Sequence, residues 1–413
     1  MSKKTQIVIF SVIVLIVGIG FFYAVGKDTG VLLKQTVLNS EYVSLVGDNL
    51  LVSNGKKFGY YGLDGNKKID LKYSFEQESY SRSLDSKDDL FVITANNVLY
   101  GVINSKGKEI IPKEYIAIRI ISSKCFLVQS EDLLWSVIDN NNKVIIDNKY
   151  KIFDIIKNKG SILYNDEQYE IIDIEGKKLS NSKYVYVVSY NDGDVLVGQY
   201  GTGVNDLYIY TKNKYKAITG VGDMISVKDG EVFYPADEGT FDSYNIETGK
   251  VGHEANVDFS VNDMFINVNE EGLVGFRSSD ETKVIENKYD VDGTFEFNED
   301  GVAVVSLKGK IGVIDTDGKE VIPCKYKHVV AYSDKLFEVS EDLEKYYLVD
   351  SSDKKLGERL RATDNYVSYS NGDKCGVLNK YGKTIFTSKY LDCQVYDNLV
   401  IVKDKDKNWI IKY

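Results

Sequence analysis

The sequence predicts an all-β protein assembled from about ten to eleven units of ~35 residues. Three observations carry that reading. The segment KIGVIDTDGKEVIPCKY, 310–326, is nearly copied in LYGVINSKGKEIIPKEY, 99–115, and two of the chain's three prolines, Pro112 and Pro323, fall at the same place in both copies. The 31 tyrosines and the hydrophobic residues, 43% of the chain, are spread evenly with no linker, as in a repeat array rather than a string of unlike domains. After residue 26 no convincing helical period appears, whereas KLFEVSEDLEKYYLVD, GVAVVSLKGKIGVID and NLVIVKDKDKNWIIK each place two β-branched and aromatic runs around a polar turn, hence hairpins.

The N-terminus is the exception to this evenness. Residues 1–6 are a short polar start, and Ile7 to Val25 is an uncharged run of 19 residues. At 1.5 Å per residue that run makes about 29 Å of helix, enough to cross a hydrocarbon core of roughly 30 Å. A transmembrane signal anchor is expected over 7–26; a cleaved signal peptide would carry a shorter apolar run, although Ala24 and Gly26 offer a peptidase small residues. Lys3 and Lys4 precede the run and the mixed Lys27 and Asp28 follow it, so the positive-inside rule puts the N-terminus in the cytoplasm. Residues 27–35 then act as a linker, and the β domain, 36–413, stands outside a cell membrane crossed once.

The repeat is defined by positions at fixed offsets. The turn residue is Gly65, Gly107, Asn142, Gly176, Gly318 or Gly382, with Asp353 and a degraded Glu281 in register. All but Glu281 tolerate the positive φ that a tight strand-to-strand turn demands. Eight residues on comes a tyrosine: Tyr73, Tyr115, Tyr150, Tyr184, Tyr289, Tyr326 and Tyr390, all but Tyr115 preceded by lysine, while Arg361 stands where the Asp353 copy is due its own. A constant offset marks a packing position, so these rings are expected in the core between units rather than stacked on a ligand. Six residues before the turn a small residue recurs as Gly59, Gly101, Ser136, Gly275, Gly312 and Gly376, behind a position that is usually bulky; Trp135 falls there, and so does Trp409 when the last segment is aligned as a further copy. Residues 199–260 keep the rhythm but lose the signature.

The two ends hold complementary halves of one unit. The last copy stops at Tyr413 after its hairpin, and TVLNSEY, Thr36 to Tyr42, aligns with EVIPCKY so that Tyr42 matches Tyr326. Pairing of first and last strands removes exposed sheet edges and favours a β-propeller, as one large ring or two. The number of units exceeds the usual four to eight blades, which keeps an open β superhelix as the alternative.

The recurring order of bulky residue, Gly, two apolar residues, Asp or Asn, two residues, Gly-Lys, apolar pair, Pro, two residues, Tyr resembles the WG repeat family of bacterial proteins, also called KWG repeats. KIGVIDTDGKEVIPCKY, LYGVINSKGKEIIPKEY, LWSVIDNNNKVIIDNKY and KCGVLNKYGKTIFTSKY carry it best, and the resemblance spans most of 36–413. The naming Trp-Gly pair is nowhere intact: Trp135 precedes Ser136 and Trp409 precedes Ile410. The resemblance implies a repeat scaffold, with no catalytic motif to transfer.

Residue chemistry narrows the function by exclusion. Net charge is −11 with no basic stripe, which argues against nucleic acid as a partner. The two histidines, His253 and His328, occupy unrelated repeat positions and read as surface residues. The acidic clusters DTDG, DVDG and DKDKN, starting at 315, 290 and 404, lack the spaced ligands of a calcium loop and read as turns. No catalytic, cofactor-binding or metal residue is therefore assigned and no cofactor is expected. Cys125, Cys324, Cys375 and Cys393 have no CxxC spacing and are expected as small buried thiols, Cys375 with Cys393 being the pair best placed to bridge. Two functions fit: a non-catalytic, membrane-tethered extracytoplasmic scaffold for protein binding or for holding a cell-wall polymer of the envelope, and a propeller-type hydrolase acting on envelope glycan through paired carboxylates.

Overall fold

A computed structural model describes residues 34–74, 84–94 and 98–413, the last span with breaks at 157, 166, 181–182, 201–202, 223–224, 229, 237–239, 255–263 and 279. The expected membrane span, Ile7 to Val25, lies outside the described residues. Among those described, no helix is long and apolar enough to cross a membrane, and regular structure is β apart from one short 3-10 turn at Asn191–Gly193.

The strands are antiparallel and form nine sheets among the described residues. Chain contacts divide them into two compact units. The first holds the sheets of residues 42–74, 86–115, 117–150, 152–173, 186–221 and 226–254; the second holds those of 264–326 and 328–390, and a last one of Asp392–Tyr396, Leu399–Lys403, Asn408–Lys412 and Gln35–Asn39. The worn segment 199–260 therefore keeps the four-stranded architecture although it has lost the motif. What persists there is a buried apolar core, as in Leu207, Ile209, Val221 and Val232, which pack in one cluster.

Each part of the motif has a mechanical reason. The turn residue is left-handed in all eight copies, with φ of 80° at Gly65, 78° at Gly107, 62° at Asn142, 80° at Gly176, 75° at Gly318, 76° at Gly382, 61° at Asp353 and 57° even at Glu281. Ahead of it, the Asp or Asn side chain accepts two amides; Asp315 Oδ1 takes those of Asp317 and Lys319, both at 3.0 Å. Asp404 does the same for Asp406 and Asn408 at 2.8 and 2.9 Å, and Asp290 takes Gly309 at 2.8 Å. Asp315 and Asp404 are thus engaged in turn chemistry, whereas Asp290 differs from that expectation and reaches Ser306 and Gly309 of a following hairpin.

Register explains the bulky-small pair. Ile311 faces Tyr326 while Val313 faces Ile322, so two residues of one strand oppose four of the next, and the extra residues bulge. The same slip occurs at Phe58 and Tyr73, Tyr100 and Tyr115, Trp135 and Tyr150, Val274 and Tyr289, and Cys375 and Tyr390. The small residue lies under the bulge. A Cβ on Gly312 would sit 2.6 Å from the Ile322 carbonyl oxygen, and one on Gly275 2.4 Å from that of Ile285. Pro112 and Pro323 fall inside the bulge, where the ladder asks for no N–H.

The copy with Arg361 in place of tyrosine is built differently. Strand Lys355–Ala362 pairs at one end with Tyr347–Asp350 and at the other with Tyr366–Asn371, fusing two units into a seven-stranded sheet. From Asp353 to Gly382 is the shortest turn-to-turn step in the chain, and the strand that would open the next unit is the piece it lacks.

The terminal halves meet. Gln35–Asn39 is the edge strand of the last sheet, with Val37 opposite Ile410 and Leu38 opposite Trp409. The amide of Lys34 donates to Tyr413 and that of Tyr413 to Lys34, each at 3.2 Å. Register differs from expectation: Trp409 faces Leu38 rather than Tyr42, its indole N–H donates 3.0 Å to the Ser40 carbonyl, and Tyr42 begins the next sheet opposite Ser53. Ile410 stands where the bulged units carry glycine or serine. A branched side chain leaves no room for a bulge, so this pair runs residue for residue.

Two of the expected thiols form a bridge instead. Cys375 and Cys393 are bonded, 18 residues apart. Cys375 takes the bulky position and Cys393 lies in the following sheet, so the bond staples neighbouring units through a contact that any large apolar pair would otherwise make. Cys125 and Cys324 are free, and burial pushes their thiols up to about 12 and about 11. Replacing Cys375 and Cys393 together by alanine is expected to remove about 2–4 kcal/mol, read as an earlier unfolding midpoint in denaturant.

Candidate functional site

The rings at the constant offset are packing residues, as expected. Tyr150, Tyr184, Tyr289, Tyr326 and Tyr390 are buried, and Tyr73 and Tyr115 half-buried. Several hydroxyls reach into the following unit. Tyr115 donates to Asn142 Oδ1 at 2.8 Å and Tyr326 to Asp353 Oδ1 at 2.6 Å, both acceptors being left-handed turn residues. A turn carrying Asn or Asp instead of Gly thus gains a bond between units.

Two repeats depart from this in the same way, each placing a buried carboxylate where the motif has a small residue. Glu170 stands six residues before Gly176, where the motif asks for glycine. The strand that would bulge over it is reduced to two bridges, Tyr169 with Tyr184 and Ile172 with Lys178. Its carboxylate fills the gap, accepting from Tyr150 Oη and Lys149 Nζ at 2.8 Å each and from Lys178. In the next sheet Asp206, the second residue of its strand as Gly101 and Ser136 are of theirs, accepts from Tyr184 at 2.9 Å and Tyr200 at 2.5 Å through Oδ2. Tyr184 also shares a hydrogen bond with Tyr208.

Electrostatics separate Glu170 from a catalytic acid. Burial pushes the Glu170 carboxyl up, but hydrogen bonds from Lys149, Lys178 and Tyr150 outweigh it and hold the group down at about 2. Burial is the main cause that raises both Tyr150 and Tyr184; Glu170 adds to it at Tyr150, whereas at Tyr184 the neighbouring Tyr208 adds more than Asp206 does. A group whose folded pKa is depressed stabilises the fold above its unfolded pKa of about 4.3 and stops doing so as pH falls through the folded value. Glu170 is expected to contribute on the order of 2–3 kcal/mol that fades between about pH 4.5 and 2, and Glu170→Gln should flatten that part of a stability-against-pH curve.

Three other charged groups were visible in the sequence only as isolated residues. His328, expected on the surface, is half-buried and meets Glu338 at 3.2 Å; the 3% exposed Glu338 also takes Tyr332 at 2.7 Å and Arg359 Nε at 2.7 Å. His253 is exposed as expected, opposite Asp242 on a neighbouring strand at 2.9 Å. Asp85 is raised chiefly by burial, and its two oxygens accept the amides of Ser86 and Ile120, each at 2.8 Å. No group of three or more His, Cys, Asp or Glu among the described residues has the arrangement of a metal site.

A concave feature includes Lys178, the partner of Glu170. A cleft of about 470 Å³ opens between Lys159, Lys177 and Lys178 on one side and Tyr210, Lys214 and Tyr215 on the other. A second cleft of about 280 Å³ is lined by Lys57, Lys72, Tyr73 and Lys113. Neither stood out from the sequence, because both assemble from hairpins of different repeats.

Comparison with known proteins agrees with the motif. The family model for the WG containing repeat matches residues 100–133 and 311–346. No curated protein is detectably similar to the chain. Among solved structures the chain is similar to the computationally designed Ika8 protein, with 13% identity over 92% of this chain and 97% of that one and a TM-score of 0.23. It is also similar to BamB from Moraxella catarrhalis, with 10% identity, 92% and 98% covered and a TM-score of 0.29. A eukaryotic initiation factor matches with 11% identity, 73% and 96% covered and a TM-score of 0.30. At such TM-scores none of the three bears on shape or activity.

Proposed function

The chain carries WG-containing repeats, and we propose that they serve as a non-catalytic scaffold, tethered to the cell membrane by residues 7–26 and holding an envelope protein or cell-wall polymer on the outer side. The observation that carries this reading is where the motif is spent. Its turn, glycine and tyrosine are used in register and packing in unit after unit, and the acids that replace glycine, Glu170 and Asp206, are engaged by tyrosines and lysines. A general acid for glycoside hydrolysis needs a carboxyl held protonated near neutral pH. Glu170 is held the other way, and Asp85, though raised, has both oxygens committed to backbone amides.

The finer fold belongs to the same proposal. We propose a β-propeller, because a first strand that completes the last sheet serves a closed array and has no use in an open one. The tether rests on the uncharged run after Lys3 and Lys4. Protease added to intact protoplasts tests the placement, and sedimentation of the full chain with purified cell-envelope material tests the scaffold. Digestion of the repeats together with co-sedimentation is expected. Full protection would place them inside, and a chain left in the supernatant would sink the scaffold reading.

A further inference from the structure

We propose that the cleft between Lys177 and Lys214 binds an anionic saccharide, which deepens the polymer branch of the scaffold reading and rests on it. The case starts from charge. The cleft gathers four lysines against two lining carboxylates, Asp173 and Glu175, in a chain whose net charge is −11, and both acids are engaged by other groups. Asp173 Oδ1 is taken by the amides of Glu175 and Lys177, each at 2.9 Å, and Glu175 pairs with Lys124 at 2.9 Å. Lys159 is held by Asp194 at 2.7 Å, and Lys178 by Glu170. That leaves Lys177 and Lys214, both exposed, with no carboxylate partner among the described residues. They are two ammonium groups placed to meet a carboxylate or phosphate.

The cleft that holds those cations is also lined by two tyrosines whose rings are held in place. Tyr210 and Tyr215 lie edge to face with centroids 5.1 Å apart. Their hydroxyls donate to the Asn158 carbonyl at 3.1 Å and the Gly193 carbonyl at 2.9 Å, which orients both rings before any ligand arrives. A rigid ring offers its face to the C–H side of a sugar while the surrounding polar groups meet hydroxyls, and preorganisation spares the ordering cost of binding. A hydrophobic peptide anchor would want an apolar floor. Only Ile174 and Leu179 supply one here, and both are half-buried.

The test is calorimetric titration of the full chain in detergent with tetragalacturonate, pentamannose phosphate and neutral cellotetraose. At least one of the charged oligosaccharides is expected to bind ten-fold or more tightly than the neutral one, and which of them does so separates a uronate from a sugar phosphate. Lys177→Ala with Lys214→Ala is expected to weaken that binding at least ten-fold and to reduce its salt dependence. Tyr210→Leu is expected to weaken it too, with thermal unfolding checked for each variant. Equal affinity in the double lysine variant, or no binding by either charged probe, overturns the proposal; loss with the lysines but not with Tyr210→Leu overturns the saccharide in favour of a bare polyanion site. Co-sedimentation of the double variant with envelope material at wild-type level would leave the scaffold reading standing and move the ligand elsewhere.

Discussion

Replacing Gln35–Asn39 by five residues of glycine and serine is expected to destabilise the last sheet by about 3–5 kcal/mol, the range for stripping cover from a buried tryptophan. Trp409 is 1% exposed, and its indole N–H donates to Ser40. Without the first strand, Asn408–Lys412 becomes an unpaired edge, and the side chains of Thr36 and Leu38 no longer cover it. With Trp135 replaced by phenylalanine, Trp409 alone reports: its emission should move to longer wavelength and the unfolding midpoint should fall. An unchanged midpoint and emission maximum would mean that the terminal strands contribute nothing to each other.

Gly312→Val is expected to cost more than 3 kcal/mol, as overpacking against backbone does at its upper range. The new Cβ would meet the Ile322 oxygen at 2.6 Å and the Cys324 nitrogen at 2.7 Å, and neither atom belongs to a flexible side chain. Ser136 shows that a unit opens enough for one small group, so Gly312→Ala should cost about 1–2 kcal/mol. Gly309 separates space from backbone strain: nothing lies within 4 Å of its would-be Cβ, and its φ of +71° alone should make Gly309→Ala cost about 1 kcal/mol. Chemical denaturation of the three variants checks the order. If valine at 312 costs no more than alanine at 309, the small position is not set by the bulge.

What the sequence showed and what it hid divide along a physical line. The turn residues and tyrosines were legible because local geometry repeats in every unit: positive φ constrains residue type at the turn, and a fixed offset puts the ring at the end of the bulged strand. The meeting of the chain ends was legible for the same reason, as a missing half is itself a pattern. Its register was not, because Ile410 acts through the absence of a bulge on another strand. Glu170 and Asp206 escaped notice since each reads as a mere lapse of the motif, and only folding brings Tyr150 and Tyr184 onto them. The bridge between Cys375 and Cys393 depends on two adjacent sheets, so spacing alone could nominate it without deciding it. Arg361 was visible as a missing tyrosine, but the fused sheet it accompanies follows from the length of the next step.

The central claim is that the first strand is an integral part of the last repeat, and native-state hydrogen exchange tests it most directly. The amides of Thr36 and Leu38, which the register turns toward Asn408–Lys412, are expected to exchange with protection comparable to the paired amides of Leu399–Lys403, because the two strands flank Asn408–Lys412 in one sheet. Exchange of 36 and 38 at the rate of an unstructured peptide, while 399–403 stays protected, would contradict it.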